Sequence, residues 1–109
     1  MNIIIYGVAK SRAIRNLWAC EELGLEYTHI PVVYGAEGSH RADFLAINPN
    51  GRVPAVVIDG LAMWESLAIN LHLAKKAGGP LAPASVEEDG LMTMWSIWAV
   101  TEVETAAIT

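Results

Sequence analysis

Two stretches of the chain carry residue types that could do chemistry. One is Ser11, followed four positions on by Arg15. The other runs from Asn48 to Ser66, NPNGRVPAVVIDGLAMWES, and ends on an acid and a hydroxyl, Glu65-Ser66. A hydroxyl beside the start of a helix can donate a hydrogen bond to a thiolate, and the positive end of the helix dipole favours the same ionised form. Both effects raise the reactive fraction of a bound thiol, whose reference pKa is about 8.5 for a cysteine side chain. Glu65-Ser66 precedes a segment where apolar spacing becomes helical, so unpaired N–H groups there can hold a carboxylate while Glu65 takes an amine. Val53, ahead of Pro54 in an extended segment, can pair its backbone with an extended peptide, as an added strand would. The set suits a small peptide that carries its own amino-acid head. The competing reading is that Glu65, Ser66 and Ser11 only cap helices.

Those residues need particular elements to hold them. Asn2 to Tyr6, with Ile3-Ile4-Ile5, reads as a buried strand, and Gly7 to Ser11 as a loop. About Arg12 to Leu23 reads as a helix, since Ala13, Leu17, Cys20 and Gly24 repeat at helical spacing and Gly24 suits its end. Glu26 to Val33 follows as a second strand, parallel to the first because a helix joins them. Tyr34 to Ser39 is an exposed loop, and His40 to Ile47 at best a short helix. Asn48-Pro49-Asn50-Gly51 is turn chemistry, and Asp59-Gly60 signals a tight hairpin between Pro54 and Trp64. A third helix runs to about Ala77, where Gly78-Gly79-Pro80 stops it. Residues 78–85 read as a linker, and 86–109 as one long helix with Glu87, Glu88 and Asp89 in its first turn. That last helix is apolar nearly all round and so expects neighbours on more than one side.

These motifs, in this order, resemble the soluble glutathione S-transferases. NPNGRVPAVV, DG, WES and AI are similar to the glutathione-binding half of that family, and YGVAKSRAIRNLWACEELGLEY to its first strand and helix. The likeness covers residues 1 to about 80 and extends less distinctively through Trp95-Ser96-Ile97-Trp98. It implies an α/β thioredoxin-like fold over 1–77 (βαβ, a short helix, then ββα), the linker 78–85, and in 86–109 the first helix of an all-helical second domain. It implies glutathione as co-substrate, Ser11 as the activating hydroxyl, and a small hydrophobic electrophile as the other substrate. The resemblance places Glu65 on the γ-glutamyl ammonium, Ser66 on the α-carboxylate, the Val53 backbone on the cysteinyl part, and Pro54 in a cis bond. It makes Arg52 and His40 candidates for the glycyl carboxylate, and Tyr6 a rival to Ser11. It also implies a homodimer and a detoxification role, while a single cysteine and the lack of a signal-peptide pattern after Met1 point to a cytoplasmic setting. A module that keeps the fold and the peptide without turnover is the alternative. A thiol-disulfide oxidoreductase fits less well, because no redox cysteine stands at the helix start.

Composition sets the outer bounds. Hydrophobic residues make up 53% of the 109, enough for a core. A net charge of −5 argues against nucleic acid as a general partner, yet Lys10, Arg12, Arg15, Arg41 and Arg52 all fall in the first half, which suits an anionic small molecule. Cys20 is the one cysteine, on an apolar helix face, and is expected to be inert core. His29 and His72 are isolated, and no metal-ligand spacing is present. The longest uncharged apolar run, Gly90 to Thr101, is shorter than the roughly 20 residues of a membrane span.

Overall fold

A computed structural model describes residues 1–108. Four strands form one mixed sheet in the order β2-β1-β3-β4, with β1 at Ile3–Tyr6, β2 at Thr28–Ile30, β3 at Ala55–Ile58 and β4 at Leu61–Trp64. β1 and β2 run parallel through the connecting helix α1 (Ile14–Leu23), whereas β3 is antiparallel to both β1 and β4. With α2 (Ala42–Leu45) and α3 (Ser66–Ala77), this is the thioredoxin-like order expected from the sequence.

The core follows from strand alternation. Ile3 and Ile5 of β1 oppose Ile58 and Val56 of β3, so four branched side chains share one face. Onto it pack Leu17 and Cys20 from α1 and Ile69 and Leu73 from α3, all buried. Both helices therefore lie on the same side of the sheet. On the other side, Phe44 of α2 meets the Tyr6 ring edge-on at 5.9 Å.

Local chemistry explains most element ends. Asp59 and Gly60 both take positive φ (48° and 85°), as the hairpin turn between β3 and β4 requires. Gly24 closes α1 in the left-handed conformation, and the Leu25 N–H returns to the Cys20 carbonyl. Ser85 caps α4 (Val86–Trp98) by accepting the Glu88 N–H at 3.1 Å.

Three boundaries differ from expectation. β2 stops at Ile30 because the chain turns tightly across Pro31, and the Val32 N–H donates back to the Ile30 carbonyl at 2.9 Å instead of to β1. α1 begins two residues late. The Ser11 hydroxyl accepts the Ala13 N–H at 3.1 Å, and tight turns occupy the segment where the first helical turn was expected. The long final helix is not uniform: α4 passes into a π-helical segment, Ala99–Glu104, before α5 (Thr105–Ile108). Residue 109, the last of the expected helix, lies outside the described residues.

α4 has no buried residue, and Leu91, Met94, Trp95, Ile97 and Trp98 are all exposed. The neighbours its composition calls for are not supplied by the described residues. No helix among them is long and apolar enough to cross a membrane.

Replacing Leu73, fully buried between α3 and the sheet, by Ala is expected to cost about 2–5 kcal/mol in urea unfolding. Leu61→Ala, at a β4 position that is 54% exposed, should cost less than about 1 kcal/mol in the same measurement.

Candidate functional site

Two adjoining cavities open where the start of α1, the turn before β3 and the start of α3 converge. The larger, about 1060 Å³, is lined by Arg15, Asn48, Asn50, Pro54, Trp64, Glu65 and Ser66, and on its far side by Ile97, Val100, Thr101 and Glu104. The smaller, about 350 Å³, is lined by Ser11 and Tyr34. Arg12, Arg52 and Val53 line both. Ser11 and the Glu65-Ser66 pair thus sit on opposite sides of a shared strip.

Each side chain is placed by identifiable contacts. Gly7 ends β1 at φ 141°, and a Cβ there would lie 2.7 Å from that of Ala13 and 3.1 Å from that of Val53. Only a residue without a side chain lets the Ser11 loop approach Val53 so closely. Asn48 is buried. Its amide donates to the Arg52 carbonyl at 2.8 Å and its Oδ1 accepts the Asn50 N–H at 3.0 Å, which shapes the turn that presents Arg52 and Val53. The Val53–Pro54 bond is cis. Val53 itself precedes the paired residues of β3, which begin at Ala55.

Glu65 takes φ 73°, unusual for a residue with a side chain; its carbonyl accepts the Ile69 N–H at 3.0 Å, but its side chain makes no capping hydrogen bond to α3. Ser66 is the first residue of α3 and is buried. Its hydroxyl accepts a hydrogen bond from Arg15 Nη1 at 3.1 Å. Neither side chain caps the first N–H groups of α3. Asn16 of α1 donates to the Ser66 carbonyl (2.9 Å) and to Asn70 Oδ1 (2.7 Å), and Asn70 donates back to the Arg15 carbonyl (3.2 Å). The two helix starts are therefore tied together just beneath the cavity.

The Ser11 hydroxyl donates to the Val8 carbonyl at 2.6 Å. Tyr6 lines neither cavity and packs on Phe44. His40 also lines neither. Its ring packs edge-on against Tyr34 at 4.9 Å and lies under Gly51. Cys20 is buried in the core, and burial pushes its thiol pKa up to about 11, which leaves it without nucleophilic character near neutrality.

The sequence does not single out Tyr34 or Glu104, and points to Arg12 and Arg15 only through the basic bias of the first half and the spacing to Ser11. Arg12, Arg15 and Tyr34 reach the cavities by folding, and Glu104 arrives from the π segment 92 positions beyond Arg12. Glu104 Oε1 accepts from Arg12 Nε at 2.9 Å and from Arg15 Nη2 at 2.6 Å. The Arg12 hydrogen bond, with that of Arg15 behind it, holds the Glu104 carboxyl below its usual pKa. The lining thus carries three arginines against two glutamates, one positive charge in excess.

Residues 1–75 match the sequence profile of the family described as "Glutathione S-transferase, N-terminal domain". The chain belongs to the glutathione S-transferase family. Among curated relatives, it is 44% identical over 79 residues to Protein URE2 of Eremothecium gossypii, a match covering 69% of this chain and 20% of that one. It is 39% identical over 87 residues to the disulfide-bond oxidoreductase YfcG of Escherichia coli, covering 73% of this chain and 40% of that one. Its structure resembles that of the theta class glutathione S-transferase from Xanthomonas axonopodis pv. citri, solved with glutathione bound, at a TM-score of 0.80 and 37% identity over 92% of this chain and 49% of that one. This glutathione S-transferase chain spans about half or less of the length of the relatives it matches.

Glu65→Gly should relieve the positive-φ strain and raise stability by about 1 kcal/mol, read from the urea midpoint. Cys20 in the folded chain should resist alkylation at about pH 8 and react once denaturant exposes it.

Proposed function

We propose that the chain binds glutathione across both cavities and favours its thiolate for attack on a small hydrophobic electrophile. The observation that carries this is charge. Glutathione bears two carboxylates and one ammonium, and the lining offers three arginines and two glutamates, one net positive charge. In this reading Glu65 takes the ammonium, while the Ser66 hydroxyl and N–H take the α-carboxylate at the start of α3. Arg15, already in contact with the Ser66 hydroxyl, adds a guanidinium to the same carboxylate. The Val53 backbone pairs with the cysteinyl unit beside Pro54. Arg52 takes the glycyl carboxylate, with Tyr34 beside it in place of His40.

Ser11 is the proposed catalytic hydroxyl. Its proton rests on the Val8 carbonyl, so it must exchange that acceptor for the ligand sulfur. A hydroxyl rotates readily, and a hydrogen bond to the thiolate lowers the thiol pKa. The sulfur then forms a bond to an electrophilic carbon, the bond to the leaving group breaks, and the leaving group departs with the electron pair. The thiol proton passes to solvent. Ile97, Val100 and Thr101 give the larger cavity an apolar and hydroxyl-bearing wall, which suits a small hydrophobic electrophile.

The proposed organisation is a glutathione-binding unit over 1–77, a connection over 78–85 and the first helix of a helical unit from 86 to 109. Homodimer formation and a detoxification role belong to the same reading and rest on the family, and the proposed cytoplasmic setting rests on the single cysteine and the sequence after Met1. The second reading is glutathione binding without turnover. It is favoured by the Val8 carbonyl holding the Ser11 proton, and by identity to URE2 proteins, one of which is described as a transcriptional regulator.

Ser66→Ala should lose retention on immobilised glutathione. Ser11→Ala should keep retention while conjugation of a chromogenic electrophile falls roughly ten- to a hundredfold, the worth of one hydrogen bond to a charged group. An unaltered rate in Ser11→Ala would remove Ser11 from the catalytic role, and no conjugation by the unaltered chain would leave the binding-only reading.

A further inference from the structure

Glu104 presents a physical puzzle. An acid in a cavity that receives an anionic ligand opposes binding by charge alone. Yet the π segment turns it inward, and its side chain is only 16% exposed. One oxygen, Oε1, receives both guanidinium groups, and it receives them differently. It takes Arg12 by Nε and Arg15 by Nη2. Gripped at Nη2, the planar Arg15 fork directs Nη1 at the Ser66 hydroxyl, 3.1 Å away. A chain of contacts thus runs from Glu104 through Arg15 to the first residue of α3.

We propose that Glu104 is a positioning residue, which holds Arg15 in the orientation that receives the ligand's head carboxylate beside Ser66. The inference rests on the glutathione reading given above. Arginine loses much rotamer freedom when fixed, and fixing it before the ligand arrives removes that cost from binding. The gain offsets the repulsion between Glu104 and the ligand. A residue serving only to balance the charges of Arg12 and Arg15 would have the opposite effect on affinity.

Calorimetric titration of the whole chain decides between the two. The ligands are glutathione and an analogue whose head is γ-aminobutyrate, identical except that it lacks the α-carboxylate. Glu104→Gln should weaken glutathione binding about tenfold and leave the analogue within about twofold. Equal or tighter glutathione binding in Glu104→Gln would overturn the inference, because removing a negative charge would then have governed the outcome. Equal weakening for both ligands would also overturn it, as the mark of a general structural role. Thermal melting monitors the fold. Glu104→Asp, which keeps the charge but has a shorter reach to Arg15, should likewise weaken glutathione and spare the analogue, and carries the comparison if the Gln variant does not fold. Absence of glutathione binding by the unaltered chain would overturn the glutathione reading itself, and this inference with it.

Discussion

Everything at the site depends on α1 and α3 presenting their starts to the same space. Apolar packing of Leu17, Cys20, Ile69 and Leu73 sets the two helices on one face of the sheet, but such contacts tolerate sliding. The buried amide of Asn16 removes that freedom. It donates to the Ser66 backbone carbonyl and to Asn70, which in turn donates to the Arg15 carbonyl. A buried amide without partners costs about 1–3 kcal/mol, so shifting one helix along the other is penalised where the site needs it to be. Ser66 and Arg15 meet because of this lock.

The second constraint is steric. The loop carrying Ser11 and the turn carrying Val53 approach each other over Gly7, where no side chain would fit. Asn48 holds the Val53 turn from beneath through the Arg52 carbonyl. A hydroxyl, a strand edge and a helix start are thereby gathered by two buried asparagines and one glycine. None of those three residues needs to touch a ligand.

Electrostatics closes the remaining side. A π turn sets the residues after it back by about one position, roughly 100° around the helix axis. In this chain it is the π segment that brings Glu104 onto Arg12 and Arg15. Lys75 to Asp89, at 2.8 Å, adds an ionic tie between α3 and α4. The final helical segment is thus joined to α1 and α3 through charged contacts, while Leu91, Met94, Trp95 and Trp98 remain exposed.

Much of the fold was legible because short-range chemistry decides it. Asp59-Gly60 makes its turn with its own backbone, Gly24 ends its helix alone, and Ile3-Ile4-Ile5 has no better use than a central strand. The Asn48–Ser66 stretch likewise carried its turn, hairpin and helix start within nineteen residues. What the residues could not determine by order was which distant groups would share a surface. Ser11 reads as a helix-start residue until its hydroxyl is found bonded to Val8 and Ala13. His40 reads as a basic residue near the ligand, and in the fold its ring packs edge-on against Tyr34, which lines the smaller cavity where His40 does not. Arg12 and Arg15 read as part of a basic bias, and Glu104 as an ordinary surface charge. Only tertiary structure makes them one cluster, because an ion pair depends on separation in space, and 92 positions of chain between Arg12 and Glu104 carry no local signal of it.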